Sequence, residues 1–89
     1  MFATFTDWSM DNPEEGVKTA EEIWPEMKAA GAINMRIVKT DDTGARSMTM
    51  WPDESTAMKA IDAMRAKGAA KSGSEVVGSA MGTVLAEMG

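Results

Sequence analysis

No cysteine and no histidine occur among the 89 residues of the chain. Without cysteine there can be no disulfide, thiolate metal site, iron–sulfur cluster or cysteine nucleophile. Without histidine the chain lacks the commonest metal ligand, the proximal ligand of most haem sites and the usual general base. Positive charge is also scarce, with nine Lys and Arg against 14 Asp and Glu, a net charge of −5. A phosphate backbone would be repelled, so nucleic acid is not an expected partner. No apolar run approaches the ~20 residues that a membrane helix needs. The opening MFATFTDWSMD has neither the basic start nor the apolar stretch of a signal peptide. These absences lead to the expectation of a soluble, cytoplasmic protein.

The length fits one domain, residues 1–89. Folding at this size buries roughly 60–65% of the unfolded surface, so a lone domain is marginal. Disulfides are excluded, and association is the reinforcement left. A homodimer is therefore expected.

Six elements can be read along the chain. FATFTDW (2–8) alternates loosely and reads as a strand, with Ala3 and Phe5 on one side and Phe2, Thr4, Thr6 and Trp8 on the other. In DNPEEG, Asp11 or Asn12 can cap a helix with Pro13 at its first position and Glu14 and Glu15 near the positive end of its dipole. Val17, Ala20, Trp24 and Met27 recur at helical spacing, Pro25 should kink this helix or start a separate last turn, and Gly31 should end it. The turn signal DDTG (41–44) lies between two runs of β-forming residues and predicts a hairpin. Asp53 can cap a second helix with an inward stripe of Ala57, Met58, Ile61, Met64 and Arg65, for which Gly68 is a plausible stop. Residues 68–82 read as loop or a short helical piece, and TVLAE reads as a last strand.

Closing the hairpin over DDTG with regular pairing sets Met35 opposite Met50 and Ile37 opposite Met48 on one apolar face. The other face then pairs Asn34 with Trp51, Arg36 with Thr49 and Val38 with Ser47. A one-residue slip would mix these two sets.

The order β-α-β-β-α-β with right-handed crossovers favours an α+β, ferredoxin-like arrangement: a four-stranded antiparallel sheet with both helices on one face. On this reading the bare face carries Trp8, Trp51, Arg36 and Asn34. Through its element order, its length, EEIWPEMKAAGA running into INMRIVKT and a late glycine before the last strand, the whole chain resembles the dimeric α/β-barrel superfamily. The resemblance implies that two subunits press their bare sheet faces together and often enclose a pocket. Members include antibiotic-biosynthesis-type monooxygenases, haem-degrading enzymes and other small catalysts of ring chemistry. The missing histidine argues against the haem-degrading branch and against any branch that uses a His–Asp pair.

Other constellations in the chain read as structural. Ten methionines, with Met48 and Met50 alternating on one strand, invite Cu(I), but neither Cys nor His accompanies them and Met is a common core filler. The glutamates of the first helix lack the histidines of a bundle metal site. GSEVVGSAMG fits neither the phosphate-loop nor the dinucleotide pattern. The candidate ligand set is Arg36, Asn34, Trp51, Trp8, Thr6 and Thr49. Arg can clamp an oxyanion, Asn can hydrogen-bond an oxygen and the indoles can sandwich a ring. Three readings stay open: a cofactor-free, monooxygenase-like enzyme or binder of a small aromatic or enolic molecule, a ligand-sensing module, and a non-catalytic dimerisation module. No catalytic residue is assigned.

Overall fold

The computed structural model describes residues 1–89. Its elements are β1 (Phe2–Ser9), α1 (Pro13–Ala29), β2 (Asn34–Asp41), β3 (Gly44–Trp51), α2 (Glu54–Ser72) and β4 (Glu75–Thr83). The strands form one antiparallel sheet in the order β2-β3-β1-β4, and the fold is ferredoxin-like, as the element order predicts.

Both helices start where their caps specify. The Asn12 side chain accepts from the Glu15 N–H at 3.3 Å with Pro13 at the first position. Asp53 accepts from the Thr56 N–H at 2.8 Å and from its hydroxyl at 2.7 Å. Pro25 does not divide α1, which runs unbroken to Ala29. Both Pro25 and Glu21, whose carbonyl loses its amide partner, are exposed, so water can supply the missing bond.

Three expectations are corrected. First, α2 continues through Gly68 to Ser72 and ends at Gly73, whose φ of 67° is the left-handed conformation that glycine adopts at least cost. Gly68 serves a contact instead, since a Cβ there would lie 3.1 Å from Cη2 of Trp8. Second, the last strand is EVVGSAMGT (75–83), whereas most of TVLAE lies beyond it. Central pairing with β1 overrides the low strand propensity of so many small residues. Third, the hairpin register differs. Asp41 pairs with Gly44 at the turn, but an irregularity between Lys39 and Asp41 shifts the rest by one residue. Asn34 then pairs with Met50, Met35 with Thr49, Arg36 with Met48, Ile37 with Ser47 and Val38 with Arg46.

That single extra residue exchanges the faces of β3 relative to β2. Trp51, Thr49, Ser47 and Ala45 now share the helix side with Phe2, Thr4, Thr6 and Trp8 of β1 and with Met35 and Ile37 of β2. Met48 and Met50 move to the bare side with Ala3, Phe5 and Asp7. The core under the helices gathers Phe2, Ile23, Met27, Trp51, Ala57 and Ile61.

Two carboxylates tie elements together and a third caps α2, and all three are held below their ordinary range. The Arg46 side chain does this for Asp7, the Lys39 side chain for Glu14, and the Thr56 N–H and hydroxyl for Asp53. Lowered folded-state values mean that the unfolded chain binds more protons in acid, so this stabilisation is present above the unfolded values and lost as pH falls. The melting temperature should hold above about pH 5 and decline below about pH 4. Asp53→Asn keeps a capping oxygen without a titrating group and should remove part of the decline. A loss centred between pH 5 and 8 would contradict this origin.

Candidate functional site

A cavity opens on the helix side of the sheet, between β1, β3 and β2 on one wall and α1 and α2 on the other. Its volume is about 80 Å³, and its mouth is open to solvent. Ile23 and Met27 of α1, Met35 and Ile37 of β2, and Ile61 and Met64 of α2 give it a mainly apolar lining. The helical stripes and the period of two in the strands place these side chains there.

The polar lining is sparse. Trp8 stands near the end of β1, half-buried, and its indole N–H donates to the Ser47 hydroxyl at 3.0 Å. Gly68 lets α2 pass close to the indole edge. Thr6 and Thr49 are buried on the floor. The Thr6 hydroxyl accepts from Nε of Arg65 at 2.9 Å, and Nη2 of Arg65 donates to the Phe5 carbonyl at 3.1 Å. Ser72 and Ser74 share a hydrogen bond at the α2–β4 junction, also on the lining.

The structure divides the six candidate residues. Thr6, Trp8 and Thr49 line the cavity together. Trp51 does not line it: it is 0% exposed within the core, its indole N–H donating to the Thr4 hydroxyl at 2.9 Å. Asn34 and Arg36 are exposed on the opposite face of the sheet, and neither reaches the cavity. A single bare face holding all six is thus replaced by three locations: the cavity, the core and the opposite face of the sheet. The cause is the shifted hairpin register for Thr49 and Trp51, and for β1 the side chains Phe2, Thr4, Thr6 and Trp8 belonging under the helices.

Arg65 is the residue that the candidate set missed. Its signal was present: with Ala57, Ile61 and Met64 it forms the inward stripe of α2, and a cation within such a stripe calls for a specific neighbour. No Asp, Glu or Lys lines the cavity, so Arg65 is the one ionisable side chain there. The lining can therefore bind and orient a molecule and stabilise negative charge, but offers no carboxylate, imidazole or amine to move a proton. No group of three acidic, His or Cys side chains anywhere in the chain is placed to hold a metal ion.

The bare face of the sheet is built differently. Phe5, Met48, Met50 and Val38 run across it, Val38 being 57% exposed, and Gly78, Ala80 and Gly82 pave its β4 edge. Arg46 grips Asp7 with two bonds, at 2.7 and 3.0 Å, while its guanidinium lies 5.7 Å from the Phe5 ring centroid. Arg36 has no carboxylate partner in the chain.

No family model and no curated protein matches the chain. Solved structures do. A dimeric ferredoxin-like protein from an uncultured marine organism is 15% identical with a TM-score of 0.70, over 99% of this chain and 98% of that one. SnoaB, a cofactor-independent oxygenase from Streptomyces nogalater, is 13% identical with a TM-score of 0.73, over 98% of this chain and 96% of its own. At such identities the likeness is one of fold, and the shared fold is ferredoxin-like. No helix is long and apolar enough to cross a membrane.

Proposed function

We propose that the protein is a cytoplasmic homodimer whose helix-side cavity binds a small, flat, aromatic or enolic molecule and oxygenates it without a cofactor. The observation that carries this reading is the lining itself: mainly apolar walls, an indole at one end and one cation. A ring would lie between Trp8 and the aliphatic walls, with the Thr6 and Thr49 side of the floor beneath it. The same fold in a cofactor-independent oxygenase supports the chemical assignment.

Such a reaction suits a site without a base. A methylene activated by neighbouring aryl and carbonyl groups loses a proton to water and becomes an enolate. Its carbon gives electrons to O2 and forms a C–O bond, and the hydroperoxide loses water to leave a ketone. One CH2 and one O2 become one C=O and one H2O. The protein holds the enolate and favours it electrostatically over the neutral form.

Anthrone is a suitable probe because its methylene lies between two aryl rings. With EDTA present and no added cofactor, the protein should accelerate oxygen uptake above the buffer rate, with one O2 consumed per anthraquinone formed. Uptake at the buffer rate would remove the catalytic reading. The absence of any proton-transfer group from the lining favours a second reading in that event, a ligand-sensing module that binds without turnover.

Dimerisation is proposed through the bare sheet face. Its apolar residues leave one side of the sheet uncovered by helices, and the small residues of β4 allow close approach. The dimeric state of a neighbour with this fold supports self-association. Asn34 and Arg36 then belong to the interface, where Arg is a common anchor.

A further inference from the structure

The geometry points to Arg65 as the anchor for an anionic oxygen group, which makes the cavity a site for a monoanion with a flat apolar body. This rests on the reading of the cavity as a ligand site and adds the charge of the ligand to it. Of the nine basic side chains, Lys18, Lys39, Arg46, Lys67 and Lys71 have carboxylate partners. Lys28, Arg36, Lys59 and Arg65 have none, and the first three are exposed to water. Arg65 alone is both unpaired and half-buried, within an apolar lining.

A guanidinium carries five N–H donors. Two are taken, by the Thr6 hydroxyl and the Phe5 carbonyl, and three have no acceptor in the protein. Those two bonds fix the plane of the group against the sheet, so the remaining donors are presented without further loss of side-chain freedom. Withdrawing a cation from water without a counter-charge is costly, and an arriving carboxylate, phenolate or enolate removes that cost. Two parallel N–H donors fit a carboxylate, and one or two fit an enolate oxygen. Nothing else in the lining can take a proton from a neutral acid, so the ligand enters already ionised or ionises by loss to water.

Calorimetric titration with 2-naphthoate and with its neutral counterpart 2-naphthamide tests the assignment. Titration with 2-naphthol below and above its ionisation separates phenolate from carboxylate recognition. Wild type should bind an ionised probe about tenfold or more tighter than naphthamide. In Arg65→Met that preference should vanish while naphthamide still binds. Arg65→Gln, which keeps a neutral donor towards Thr6, should behave as Arg65→Met does, and this guards against lost bonds to the sheet as the explanation. Circular dichroism and the binding of naphthamide report that each variant is folded. Equal affinity of wild type for charged and neutral probes overturns the role of Arg65 and leaves the cavity reading standing. Loss of both probes in equal measure in the two variants also overturns it. Failure of every probe to bind wild type overturns both readings together.

Discussion

Replacing Trp51 by alanine will lower the melting temperature by at least about 12 °C. Truncating a buried aromatic side chain to alanine costs about 3–5 kcal/mol, and each kcal/mol is about 4–8 °C for a domain of this size. Trp51 is fully buried, stands opposite Phe2 across the β1–β3 ladder, and packs with Ile23, Met27, Ala57 and Ile61. Few residues can relax into the space it leaves, because a chain of 89 residues has only one small core. Its indole N–H also donates to the hydroxyl of Thr4, a residue that is 1% exposed. Trp51→Phe retains most of the apolar area but leaves that hydroxyl short of a partner, a loss of about 1–3 kcal/mol. Thermal unfolding followed by circular dichroism measures both. A loss of only a few degrees in Trp51→Ala would mean that the residue faces outward, as regular hairpin pairing suggested.

Ala80→Glu will convert the proposed dimer to a monomer without unfolding the chain. Ala80 lies opposite Phe5 on the bare face and is exposed within the single chain, so a longer polar side chain costs the isolated fold little. Across a dimer axis the same carboxylate would be buried in both subunits. An unpaired buried charge costs about 3–5 kcal/mol, enough to weaken association by about two orders of magnitude or more. Light scattering at micromolar concentration should give twice 9.5 kDa for wild type and 9.5 kDa for the variant, with unchanged far-ultraviolet circular dichroism. A variant that stays dimeric places the interface elsewhere, and a monomeric wild type removes the dimer altogether. The cavity lies on the other side of the sheet from Ala80, so naphthamide binding should persist in the monomer.

Local chemistry wrote much of this fold directly into the chain. Asn12 with Pro13, and Asp53 with Thr56, set both helix starts, because a short polar side chain before a helical run satisfies N–H groups that nothing else can reach. DDTG marked the hairpin, and the order of six elements with right-handed crossovers left little besides the ferredoxin-like sheet. The reading weakened wherever a residue's role depends on distant neighbours. EVVGSAMGT reads as loop or a short helical piece from its composition and is a strand because β1 offers it a ladder. Gly68 looks like a helix stop and is a gap for the Trp8 ring.

The candidate site turned on a smaller detail. The turn pairing of Asp41 with Gly44 agrees with the sequence, but the irregularity at Thr40 shifts every pair beyond it. In a strand of period two, one extra residue sends each side chain through to the other face. Composition does not register such a bulge, since its cost is repaid by burying Trp51 and Thr49 under the helices while Met48 and Met50 pass to the opposite face of the sheet, where Met50 is still buried. The sequence by itself determined the element order, the caps, the lack of thiol and imidazole chemistry, and a cation on the inward stripe of α2. Only the tertiary structure decided which face of β3 is the core, and with it that Thr6, Trp8, Thr49 and Arg65 meet in one cavity while Asn34 and Arg36 lie across the sheet. Capping and periodicity act within a few residues, whereas the side a strand presents is settled by packing among all four strands and both helices at once.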